Sequence, residues 1–78
     1  MVKNIQILLS KINKESTEIS FQELLKICLL EQNLPHSKGE VYFLISTVKA
    51  LGIFEDLKMS LYKINWEVYE KLNNEGLL

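Results

Sequence analysis

The chain has 78 residues, 47% of them hydrophobic, with nine basic and ten acidic side chains and a formal net charge of −1. That is enough for one domain and too little for two. Folding such a length buries roughly 60–65% of the unfolded surface, so the domain is expected to span 1–78, with a core over about 2–72 and a tail over 73–78. A pI near 5.8 does not supply the basic field of an autonomous nucleic-acid binder, and no apolar run approaches the ~18 residues of a membrane span.

All nine basic residues are lysine. Arginine is the usual bidentate reader of guanine and phosphate, so its absence counts against a sequence-specific DNA reader while leaving lysine contacts to phosphate open. A genome that favours lysine over arginine explains the same composition. Cys28 is the one cysteine. It cannot form an intramolecular disulfide or a multi-cysteine zinc site, and its apolar surroundings mark it as a buried thiol. With no secretory pattern at the N-terminus, the expected location is intracellular and cytoplasmic.

In chain order, Ile5, Leu8, Leu9 and Ile12 recur at i, i+3, i+4, i+7 and predict a helix from Val2 to Ile12. The polar run 13–17 reads as a loop. Glu18-Ile19-Ser20 is β-compatible. Ser20 with Glu23 forms a capping box, and Ile19 can staple onto Leu24. Phe21, Leu24, Leu25 and Cys28 give the second helix its apolar face. Pro35 ends that helix near Gln32 or Asn33, because it disfavours helical geometry in Leu34.

Ser37 with Glu40 predicts a second capping box. Val41, Leu44, Ile45, Val48 and Leu51 follow at helical spacing, and Gly52 is placed to stop the helix in a left-handed conformation. Residues 53–57 and Leu61-Tyr62-Lys63-Ile64 read as a hairpin joined by 58–60, with Leu61 and Lys63 on one face and Tyr62 and Ile64 on the other. The Asn-Gly or Asp-Gly turn signal is missing. Asn65 is a candidate cap for a last helix beginning at Trp66, with Glu67 in its first turn and Val68, Tyr69 and Leu72 facing inward. Trp66 is expected to pack that helix onto the hairpin.

The expected architecture is thus α+β and mostly helical, in the order helix, strand, helix, helix, hairpin, helix. Carried by Ile19-Ser20-Phe21-Gln22-Glu23-Leu24-Leu25, Val48-Lys49-Ala50-Leu51-Gly52-Ile53-Phe54 and Leu61-Tyr62-Lys63-Ile64-Asn65, it resembles the winged-helix superfamily of helix-turn-helix domains over about residues 2–72. The stretch from Tyr42 to Glu55 more distantly resembles winged-helix accessory subunits of SMC-like or ABC-type ATPases. These include the middle components of three-component defence systems and the C-terminal domains of kleisins.

No catalytic constellation stands out, so no enzyme activity, cofactor or metal is expected. His36 is the single histidine, in a turn that fits an ordinary surface residue or a phosphate contact. The serines lack a base partner. Gly39, Gly52 and Gly76 make no phosphate loop. Glu55-Asp56 reads as solvated turn charge. The resemblance implies a DNA face at the third helix and hairpin, with His36, Lys38, Tyr42, Ser46, Lys49, Lys58 and Lys63 as candidate contacts. Against it stands a surplus of apolar residues: Tyr42, Phe43 and Ile45 around the core stripe of the third helix, and Ile27, Leu29 and Leu30 on the second. A helix apolar nearly all round is usually buried. This surplus points to a protein partner or a second copy, with Tyr42, Phe43 and Phe54 as candidate interface anchors. The expected function is a non-enzymatic interaction module, and the alternative is a dimeric DNA-binding regulator.

Overall fold

A computed structural model describes residues 2–78. The chain is α+β, with four helices and one three-stranded sheet, and about half of it is helical. In order, these are α1 (Val2–Ser10), β1 (Glu18–Ser20), α2 (Phe21–Leu30), α3 (Lys38–Ala50), β2 (Phe54–Lys58), β3 (Leu61–Ile64) and α4 (Trp66–Asn74). The sheet is antiparallel with strand order β1-β3-β2. The last strand in sequence is therefore the central one, and three-residue β1 is held by pairing Ile19 with Tyr62.

One core unites these elements. Ile5, Leu8 and Leu9 of α1, Phe21, Leu24 and Cys28 of α2, and Val41, Leu44, Ile45 and Val48 of α3 are all buried. Ile19, Ile53, Phe54, Tyr62, Ile64 and Tyr69 close it from the sheet and α4. The accessible surface is 4988 Å², close to the ~4,900 Å² expected for a folded monomer of this mass. Ile45 lies in this core, so it is not part of an outward apolar surplus, and Ile27 is half-buried. Helix α1 ends at Ser10, and α2 at Leu30, earlier than the apolar spacing suggested. Ile12 and Leu34 are buried from the turns that follow.

The helix ends show why the boundaries fall where they do. The Ser20 side chain accepts from the Glu23 N–H, and the Glu23 carboxylate accepts from the Ser20 N–H, completing the capping box. At α3 only half a box forms. Ser37 Oγ accepts from the Glu40 N–H, but it donates its own hydroxyl proton to the Glu40 carboxylate, 2.7 Å away.

The C-terminus of α3 is a Schellman motif. Gly52 sits at φ +84, its N–H donates to the Lys49 carbonyl, and the Ile53 N–H donates to the Val48 carbonyl. The same motif closes α4. Gly76 at φ +74 donates to Asn73, and Leu77 donates to Leu72. Residues 73–78 are thus not a loose tail: α4 runs through Asn74, and Leu78 packs against the core.

One further expectation is corrected. Asn65 does not cap α4 with its side chain; its Nδ2 donates instead to the Gly52 carbonyl at 2.9 Å. A side-chain amide reaching back across the hairpin satisfies a helix-end carbonyl that would otherwise lack a partner. Trp66 is partly buried against the core, which includes Phe54, Tyr62 and Ile64 of the hairpin. Its Nε1–H donates to the Ser16 carbonyl at 2.7 Å, its ring meets Tyr69 edge-on, and the Lys14 ammonium lies 5.5 Å from the ring centroid. Trp66 thus fastens α4 to the α1–β1 loop, with a cation–π contact from that loop over its face.

Candidate functional site

Helix α3 and the hairpin carry most of the residues singled out in the sequence. Val41, Leu44, Ile45 and Val48 define the inward face of α3. Its 3.6-residue period then puts Gly39, Phe43, Ser46 and Ala50 along the opposite side, and all four are exposed. That outward stripe contains no charged residue. Lys38, Tyr42 and Lys49 flank it on one side, Glu40 and Thr47 on the other.

Phe43 projects from the stripe with 64% of its surface exposed. Tyr42 is 45% exposed, yet its ring is fixed: it stacks on Phe21 of α2 with centroids 4.1 Å apart and planes 14° off parallel. The third expected anchor, Phe54, is corrected. It is 2% exposed and stacks on Tyr62 inside the core, centroids 5.9 Å apart, so no partner can reach it. Phe54 is the first residue of β2 and faces inward; the exposed residues of that strand come after it.

The hairpin turn is tight. Met59 and Ser60 join the strands, and Ser60 adopts φ 60, the left-handed region usually left to glycine or asparagine. The Phe21 N–H donates to the Ser60 carbonyl at 2.9 Å, so the turn is bound to the first residue of α2. A register shift between Asp56 and Lys58 leaves Leu57 as the extra residue of a bulge. Leu57 and Met59 are both exposed, Met59 at 93%. An open depression lies along α2 between Gln22, Glu23, Leu25, Lys26 and Leu29.

The candidate DNA contacts divide into free and engaged groups. Lys49 Nζ lies 2.7 Å from Asp56 Oδ2, joining α3 to β2. The hydrogen bond to Asp56 holds the Lys49 ammonium above its ordinary pKa. Burial, and then the negative charge of Asp56, push the Tyr62 hydroxyl up as well. Lys63 stands directly between Glu18 of β1 and Glu55 of β2 in the sheet register. His36 Nε2 is 2.8 Å from the Glu31 carbonyl. A carbonyl only accepts, so Nε2 carries the proton, and the ring closes the end of α2. Lys38, Ser46, Lys58 and Lys63 are exposed, and none of these three lysines has an ion-pair partner among the described residues.

Sequence reasoning found the exposed Phe43 but missed the Tyr42–Phe21 stack, the Lys49–Asp56 pair and the apolar hairpin tip. The tip was legible as Leu57 and Met59 beside a turn; the other two needed the packing angle of α3. Among the described residues no cluster of histidine, cysteine and carboxylate side chains is arranged to hold a metal ion. No helix among them is long and apolar enough to cross a membrane. Comparison with protein-family models, curated proteins and solved structures finds no match to this chain.

Proposed function

We propose that the chain is a winged-helix module that binds another protein chain, as a small subunit or a homodimer within an intracellular, cytoplasmic assembly that handles nucleic acid. It performs no catalysis and carries no cofactor. In this reading β2 and β3 form the wing and α3 is the helix that a DNA-binding relative would place in the major groove.

The observation that carries the proposal is the outward stripe of α3. It pairs an exposed, uncharged row with one projecting aromatic ring, Phe43. Such a face offers phosphate no charge, whereas an aromatic side chain among small neighbours can seat in a partner's pocket. Tyr42, held rigid by its stack on Phe21, adds a preorganised edge at little entropic cost.

Light scattering over a concentration series, for the chain alone and with the product of an adjacent gene, tests this reading. The expected result is association that Phe43→Ser abolishes while the circular dichroism spectrum stays unchanged. A chain that stays monomeric and ignores its neighbours, or an association indifferent to Phe43, refutes it.

The alternative is a dimeric DNA-binding regulator. Its support is the three exposed candidate lysines without ion-pair partners, Lys38 at the start of α3 and Lys58 and Lys63 on the hairpin. Three such contacts give only weak binding per monomer.

A further inference from the structure

Trp66 and Tyr69 lie three residues apart on α4 and so share one side of that helix. Their rings meet at 71° with centroids 6.1 Å apart, like two walls of a corner. The hydrogen bond from Trp66 Nε1–H to the Ser16 carbonyl holds the indole wall in place. The Lys14 ammonium occupies the corner, 5.5 Å from the Trp66 centroid and 5.7 Å from that of Tyr69. Lys14 is exposed and has no ion-pair partner among the described residues, so its charge is set against the two ring faces.

We propose that the Trp66–Tyr69 corner is a binding site for a trimethylammonium group, with Lys14 as its built-in, exchangeable occupant. The distances decide which kind of cation fits best. A lysine nitrogen at 5.5 Å and 5.7 Å leaves a gap to both rings. Methyl carbons about 1.5 Å out from a quaternary nitrogen at the same point would lie about 4 Å from them, in van der Waals contact. Hydration points the same way. A primary ammonium brings three N–H donors that want oxygen acceptors, and a quaternary one brings none to leave unpaired. An exposed cation–π contact is weak, so displacing Lys14 costs a ligand only about two- to fivefold in affinity. The corner belongs to α4 and the α1–β1 loop and uses no residue of the α3 stripe. A failure of the docking reading leaves it standing, and its own failure leaves the docking reading standing.

Trp66 is the only tryptophan, so its emission reports on this corner alone. The test titrates the full chain with choline at constant ionic strength, and in parallel with choline's neutral tert-butyl analogue, in which carbon replaces the nitrogen. The expected result is a saturable change in emission with choline and none with the analogue. Lys14→Ala, a change at an exposed loop position, should tighten choline binding about two- to fivefold. Lys14→Arg, which keeps a cation on the loop, should bind as the parent does. A peptide carrying one trimethyllysine, titrated beside its unmodified form, separates the sources of the group. Binding tighter than choline's assigns it to a partner's side chain, and weaker or equal binding assigns it to a free solute. Emission that does not respond to choline in either the parent or folded Lys14→Ala overturns the proposal. So does an equal response to the neutral analogue, or choline binding that Lys14→Ala does not tighten.

Discussion

Gly52 and Gly39 lie at opposite ends of the same helix, and replacing each with alanine should change stability in opposite directions. Gly52 holds φ +84 at the C-terminus of α3, and a Cβ there would meet only Val68 Cγ1, at an ordinary 3.7 Å. Space is therefore not the obstacle; backbone conformation is. An L-residue in the left-handed region costs about 1–2 kcal/mol. Alanine also stiffens the unfolded chain, which returns about 0.4–1 kcal/mol. The net effect of Gly52→Ala is a loss of about 0.5–1 kcal/mol. For a domain of this size that lowers Tm by roughly 3–6 °C.

Gly39 is within α3, where a Cβ would meet nothing within 4 Å and the backbone has no positive φ. Gly39→Ala should stabilise, by up to about 0.5–1 kcal/mol, because glycine loses more conformational freedom in a helix than alanine. Thermal and urea unfolding of the two single variants and the double variant measure both signs. The positions are too far apart along α3 to couple, so the effects should add. A Gly52→Ala variant at least as stable as the parent would refute the Schellman account of this helix end. Two shifts of the same sign would show that the unfolded state, not the native backbone, sets both.

Two other outcomes are expected. Trp66→Phe keeps an aromatic side chain but removes the donor to the Ser16 carbonyl and part of the packed indole; a loss of at least about 1 kcal/mol in urea unfolding is expected, with faster amide exchange in residues 13–17, and an unchanged midpoint would show that the bond contributes nothing. Alkaline pH should destabilise the fold. Burial raises the pKa of Cys28, burial and Asp56 raise that of Tyr62, and the hydrogen bond to Asp56 raises that of Lys49. A group whose pKa is raised by folding holds its proton longer in the native state, so the unfolded state binds fewer protons and stability falls with pH. The stabilisation is complete below the ordinary thiol value of about 8.5 and is lost as pH rises through the higher folded values. Urea midpoints under reducing conditions from pH 7 to strongly alkaline should decline, and Cys28→Ala should remove the earliest part of that decline. A flat profile would contradict the burial of Cys28.

Most of the local structure was legible before any fold was known, because local signals need only neighbouring residues. The Ser20–Glu23 box, the stop at Gly52 and the alternation of Leu61 to Ile64 all appear as read. So does the inward stripe of α3, from Val41 to Val48. Each rests on a fixed period or on a hydrogen bond spanning three to five residues.

Contacts between distant segments are another matter, since they follow from packing. The carbonyl of Gly52 could have been satisfied by water, but the fold brings Asn65 to it. Trp66 had an apolar ring to bury and one donor to satisfy, and no periodicity says that Ser16, fifty residues away, accepts it. Phe54 and Phe43 are the same residue type on either side of Gly52. One is in the core and the other in solvent because β2 enters the sheet with Phe54 inward, while α3 turns Phe43 away from the helices it packs on. Whether an aromatic side chain is core or contact surface depends on the rotation of its element about its own axis. Packing fixes that rotation, and the residue's neighbours in sequence do not.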